Sequence, residues 1–134
     1  MTADNSLEMR TLLGHTGHVF SQKDIPRLEQ QISTHMYLVN QKIPWVITRD
    51  DAIFSWQENV FTPIMDAVSS WTIRKACRNL SEAELFFAVS DHWYYLLETD
   101  NRTSAYEAAA DYAGTYGTGL FRLVHSAVNR RRAA

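Results

Sequence analysis

The sequence predicts an all-α fold, a helical bundle of five or six helices. Three observations carry that expectation. Apolar residues recur at steps of three and four through most of the chain, the spacing that puts one stripe on one side of a helix. Good N-cap residues, Asp24, Thr48, Ser81 and Ser104, stand before the periodic stretches. No segment sustains the apolar–polar alternation of a half-buried strand.

The elements follow in order. Residues 1–6 read as a loose polar tail and 7–132 as a single helical domain. Leu7 to Leu13 has the spacing of a short helix ended by Gly14, and His15-Thr16-Gly17-His18 is a turn. Asp24 caps the next helix with Pro26 in its first turn, where a missing N–H costs nothing. Ile25, Leu28, Ile32, His35 or Met36, and Val39 form its apolar face, and Pro44 ends the run. Thr48 caps a helix with Asp50 and Asp51 in its first turn, where acids suit the dipole. Ala52, Ile53, Trp56, Val60 and Phe61 continue that face. Pro63 must kink or restart it, with Thr62 capping the restarted piece. Ile64, Val68, Trp71 and Ala76 carry the face onward to basic Arg74, Lys75 and Arg78. Ser81-Glu82-Ala83-Glu84 is a capping box opening a helix with Leu85, Phe86, Val89, Trp93 and Leu96 on its face. Ser104 caps a last region with Ala105, Ala108, Ala109, Tyr112 and Ala113, weakened by Gly114, Gly117 and Gly119. Leu120 to Arg132 is helical again. The expected core is Leu28, Ile32, Trp56, Val60, Ile64, Val68, Leu85, Val89, Trp93 and Leu96.

Shifting the chain by 57 aligns two segments. Leu28 meets Leu85, Ile32 meets Val89, His35 meets His92, Tyr37 meets Tyr94 and Val39 meets Leu96. With a one-residue gap, Thr48 meets Ser104, Ala52 meets Ala108 and Trp56 meets Tyr112. Two readings fit: a pair of duplicated helical hairpins, or amphipathic helices that look alike because their periods agree.

Charge and composition narrow the function classes. The 134 residues carry 13 basic and 15 acidic side chains, a net of −2. Four arginines and no acid follow from Arg122 onward, leaving 9 basic against 15 acidic elsewhere, a net of −6. An acidic body does not attract phosphates over a broad face, so nucleic acid is not the expected partner. Basic Arg130-Arg131-Arg132 suits a helix C-terminus. No run is long and apolar enough for a membrane span, and the N-terminus has no apolar signal core. The expectation is a cytoplasmic protein. The single Cys77 excludes an intrachain disulfide, and Lys75 and Arg78 beside it should lower its pKa.

The candidate chemistry is sparse. His15-x-x-His18 offers two nitrogens without a third nearby ligand. His35 and His92, with Tyr37 nearby, are the candidate ligand-binding residues. Neither sits in the Glu-x-x-His pattern of a di-metal carboxylate bundle, since Ile32 and Val89 occupy those places. The expectation is no catalytic residue, no metal and no cofactor. The aromatic run Trp93-Tyr94-Tyr95 spans roughly 200° of a helix, against an apolar stripe of a little over 100°. With Phe87 seven residues before Tyr94, it is the candidate interface, most simply of a two-fold homodimer. The competing account folds Leu7 to Leu13 or Leu120 to Val128 over these rings.

The stretches Trp56-Gln57-Glu58-Asn59-Val60-Phe61-Thr62-Pro63, Ser81-Glu82-Ala83-Glu84-Leu85-Phe86 and Asp91-His92-Trp93-Tyr94-Tyr95-Leu96-Leu97-Glu98 come in a distinctive order. Together with Glu107-Ala108-Ala109 they resemble the C-terminal helical part of the bacterial domain-of-unknown-function family 4032, over about Leu12 to Ala113. Departures are the missing arginine between His92 and Trp93, and Tyr95 and Leu97 in place of Leu and Ser. Relatives are often joined to lipopolysaccharide-kinase-like sequence. This chain has no Gly-rich phosphate loop and no His-Arg-Asp loop, so no kinase activity carries over. The resemblance implies a helical part without catalytic residues. The expected function is a non-enzymatic, self-associating protein–protein interaction or regulatory module. The alternative is a small cofactor- or metal-binding bundle using His35 and His92.

Overall fold

The computed structural model describes residues 10–117. Among them are six α-helices: α1 (Ile25–Lys42), α2 (Arg49–Trp56), α3 (Thr62–Val68), α4 (Trp71–Ala76), α5 (Glu82–Thr99) and α6 (Ala105–Tyr116). Residues 10–15 are also helical, Gln22–Asp24 form a 3-10 turn and Gln57–Phe61 a π turn. The described residues contain no strand, and the fold is all-α as the periodicity required. Residues 1–9 and the expected C-terminal helix after Leu120 lie outside the described residues.

The cap chemistry sets three helix starts. Thr48, Ser81 and Ser104 each accept the N–H of the residue three ahead, Asp51, Glu84 and Glu107, at 3.1 Å. The acid at that place takes the cap's own N–H in return. Each box satisfies two N–H groups that the first turn would otherwise leave unbonded. Replacing Ser104 by Ala is expected to cost about 1 kcal/mol, read as a lower urea midpoint, with Ser104→Asp retaining most of it.

Asp24 departs from its expected role. It precedes α1, but its carboxylate turns back to accept the Ser21 N–H at 2.9 Å and caps the 3-10 turn. Pro26 does sit in the first turn of α1. The disruption expected at Thr62-Pro63 takes another form as well. Phe61 keeps helical dihedrals and Thr62 does not cap. The chain instead widens into the π turn just before Pro63. Pro63 has no N–H for the preceding turn and its ring crowds it, and a π turn absorbs both. A second break, at Ser69-Ser70, separates α3 from α4. Ser70 leaves the helical region, and the Ser69 hydroxyl donates to the Asp66 carbonyl at 2.8 Å. Such local bonds compete with helix continuation. The break rotates Trp71 off the core face. It is 71% exposed, with the Lys75 ammonium 4.7 Å from its ring centre.

The described chain divides into two compact units between Asn59 and Val60, where the sequence was read as one domain over 7–132. In the first, α1 and α2 pack as a hairpin around Leu28, Ile32, Ala52 and Trp56, all 0% exposed. Leu12, Thr16 and Phe20 are also buried. In the second, α6 packs against α3, α4 and α5. Its buried side is Ala105, Ala108, Ala109, Ala113 and Gly114, a stripe of small residues that lets neighbouring helices approach closely. Ile64, Val68, Ile73, Phe86 and Val89 fill the space around it. Of the ten expected core residues, only Trp93 and Leu96 are partly exposed.

Candidate functional site

The two histidines singled out by the repeat each cross-link their own hairpin. His35 on α1 places Nε2 2.8 Å from the Ser55 hydroxyl on α2. His92 on α5 places Nε2 2.6 Å from the Asp111 carboxylate on α6. Under the alignment that pairs Thr48 with Ser104, Ser55 falls on Asp111. The same histidine position therefore reaches the same position of the following helix in both units. The sequence reading missed Ser55 and Asp111, although its own alignment contained the signal. The residue just before each of these two caps is also tied to the preceding helix, but from a different helix position and through a different backbone group. The Ile47 N–H donates to the Asn40 side chain in the first hairpin, and the Trp93 indole donates to the Thr103 carbonyl in the second. Ile47 and Thr103 each immediately precede a cap.

The chemistry of the two clamps differs. The Asn59 amide donates to the Ser55 hydroxyl at 3.2 Å, so the hydroxyl proton is free to go to Nε2 of a neutral His35. Burial, and then the charge of Lys42, hold that imidazole below its ordinary 6.5. The unfolded chain takes up this proton first. The stabilisation is therefore full above about 6.5 and is lost as pH falls through the folded value. Urea midpoints should fall as pH drops from about 7 to about 5. His35→Gln should remove part of that slope, and an unchanged slope would show that His35 contributes none of it.

His92 is ringed by aromatics as well as by Asp111. Tyr95 stacks at 6.2 Å between ring centres, and Tyr112 and Tyr116 meet it edge-on at 5.9 and 6.2 Å. Tyr112 and Tyr116 lie 5.1 Å apart. The His92 side chain is 14% exposed, whereas Tyr95 and Tyr116 are 66% and 63% exposed. The clamp is an inner layer, and two tyrosine rings form an outer one facing water.

The other candidates are distributed differently from the expectation. Phe87 is 2% exposed and meets Phe86 edge-to-face at 5.4 Å, so it is a core residue and cannot centre an open interface. The first half of α5 is buried on several sides, with Phe86, Phe87, Val89 and Ser90 all inside. That absorbs the aromatic excess there. Trp93 is half-buried and tied to the loop. Tyr94 is half-buried too; desolvation, then Asp91, raise its phenol pKa, and its hydroxyl makes no hydrogen bond. Tyr95 alone of the run stands open. Tyr37 is exposed and accepts from Gln41 at 2.9 Å.

Cys77 also corrects its expectation. It is buried, and desolvation raises the thiol pKa where Lys75 and Arg78 were expected to lower it. Beside it lies an open hollow of about 220 Å³ lined by Arg74, Arg78 and Glu82, with Arg74 and Glu82 3.6 Å apart. The helical stretch runs one residue past Gly14 to His15, so His15 ends a helix, and His18 lies in the turn that follows, where Gly17 and His18 both take positive φ, 64° and 67°; both histidines are exposed. Among the described residues no three His, Cys, Asp or Glu side chains are grouped to hold a metal ion, and no helix is long and apolar enough to cross a membrane. Compared with known proteins, the chain matches no protein-family model, no curated protein and no solved structure.

Proposed function

We propose that this protein is a non-enzymatic helical interaction or regulatory module that self-associates as a two-fold homodimer through the tyrosine surface of α5 and α6. The supporting observation is the layered arrangement at His92. Two tyrosines more than 60% exposed sit against a histidine that a carboxylate on the neighbouring helix holds in place. Rings presented on ordered helices bury much area at little entropic cost, the property of interface anchors. The clamps bond side chains within one hairpin, which is a means of holding helices together rather than a reacting centre. The resemblance to family 4032 belongs to the same reading, because the residues that carry it include no catalytic set. A cytoplasmic location is part of the proposal.

Light scattering across a concentration series tests it. The expected result is a monomer–dimer equilibrium that Tyr95→Ala with Tyr116→Ala weakens by more than about tenfold, the loss of two partly buried anchors. A monomer at every concentration, or a dimer indifferent to both changes, would overturn the proposal.

A further inference from the structure

The two helices that carry the tyrosine surface are charged with one sign. α5 holds Glu82, Glu84, Asp91 and Glu98, α6 holds Glu107 and Asp111, and neither helix has a lysine or arginine. On α5, Asp91, Tyr95 and Glu98 are spaced four and three residues apart, so they share one side, and all three are exposed. Tyr95 stacks on His92, whose other neighbours are Asp111, Tyr112 and Tyr116 of α6. The exposed rings are thus set among carboxylates, with no cation on either helix.

A two-fold interface brings the same surface of both copies together. Two such faces alone would set Asp91 and Glu98 against their counterparts, and like charge against like opposes association. Cations from elsewhere in the chain relieve this, and one segment has a surplus of them. Residues 1–59 carry five bases and seven acids, residues 60–117 four bases and eight acids, and the residues after Gly117 four arginines and no acid. Of the four bases in residues 60–117, Arg74 lies 3.6 Å from Glu82, Arg102 lies 3.5 Å from Asp100, and Lys75 sits over the Trp71 ring. Arginine also suits the rings, since a guanidinium is attracted to the face of a tyrosine as well as to a carboxylate. The segment starts at the surface in question. α6 runs to Tyr116, one of the exposed rings, so the chain beyond Gly117 leaves from the tyrosine face itself. Arg122 comes six residues after Tyr116, about 20 Å of fully extended chain. The stripe from Asp91 to Glu98 is only about 10 Å long.

We infer that the arginine-bearing segment, Arg122 with Arg130 to Arg132, docks across the two-fold axis on the tyrosine face of the second copy, its guanidinium groups meeting Tyr95, Asp91 and Glu98. This docking presupposes the homodimer proposed above. In that dimer the exposed rings pair with a second copy, so the arginines that meet them come from that copy. Each arm then ties one copy to the other and neutralises a face that would otherwise repel its counterpart.

Two charge-reversed full-length proteins test this: an arm variant, Arg130→Glu with Arg131→Glu and Arg132→Glu, and a face variant, Asp91→Lys with Glu98→Lys. Light scattering over a concentration series should show the wild type dimerising, less tightly as salt is raised, and each variant at least about tenfold weaker. Both face residues are exposed, so circular dichroism of the face variant should match the wild type. Native mass spectrometry of the two variants mixed one to one separates exchange from folding back. Exchange across the axis pairs the native charges once and the reversed charges once, so the mixture should recover a heterodimer within a few fold of wild-type affinity. Recovery only when all the substitutions are in one chain would put the arm on its own face and overturn the inference. A dimer unchanged in the arm variant, yet weakened by Tyr95→Ala with Tyr116→Ala, would overturn it and leave the homodimer standing. A wild type that is monomeric at every concentration would overturn both.

Discussion

Replacing Trp56 by Ala is expected to cost about 3–5 kcal/mol of stability, the range for truncating a fully buried large aromatic. The ring is 0% exposed, as are Ala52 on its own helix and Leu28 and Ile32 on α1. Its indole N–H donates to the Gln31 side chain at 3.0 Å, so the substitution removes both packing and a hydrogen bond. Trp56→Phe separates the two, keeping most of the volume and losing the donor; a smaller loss, about 1–2 kcal/mol, is expected. Urea denaturation read by far-ultraviolet circular dichroism measures both. A loss under about 1 kcal/mol for Trp56→Ala would mean that the site collapses around the missing ring or that the ring is not buried in solution.

Phe86→Ala should produce a loss of similar size, about 3–5 kcal/mol, in the second unit. The side chain is 0% exposed, and its ring lies 5.7 Å from Phe61 and 5.4 Å from Phe87, centre to centre. Truncation leaves a cavity walled by two rings held by separate helical segments, which cannot close without moving the backbone. Phe86→Leu retains most of the volume and should cost markedly less. Phe87→Ala is the informative companion. If Phe87 lay at a dimer interface, its removal would change association before stability. Buried as it is, it should lower the melting temperature at every protein concentration alike.

Much of the architecture was legible in the sequence because it depends on short-range rules. Thr48, Ser81 and Ser104 announce helix starts through a bond three residues long, and the structure has all three. Pro63 announces a disturbance because its ring and missing N–H act on the turn before it. Leu28, Ile32, Trp56, Val60, Ile64, Val68, Leu85 and Val89 announce a buried face because helical period places them on one side, and all eight are buried. The two hairpins were visible as a repeat, and the matched His35 and His92 turned out to hold matched positions on the following helices. Asp24 was misread because Ser21 competes for its carboxylate, and Trp71 because two serines break the helix before it.

Periodicity states which residues share a side of a helix, but not how many sides are covered. The sequence by itself determined the all-α class, three of the four expected caps, the position of the proline disturbance and the central core stripe. Only the tertiary structure decided that Phe87 is inside while Tyr95 is outside, that Trp93 is tied to the Thr103 carbonyl, and that burial outweighs Lys75 and Arg78 at Cys77. Each of those outcomes depends on which neighbouring helices reach a given side of α5 or α4. That number is set by packing across the unit, around the small-residue stripe of α6, and no local window of sequence contains it.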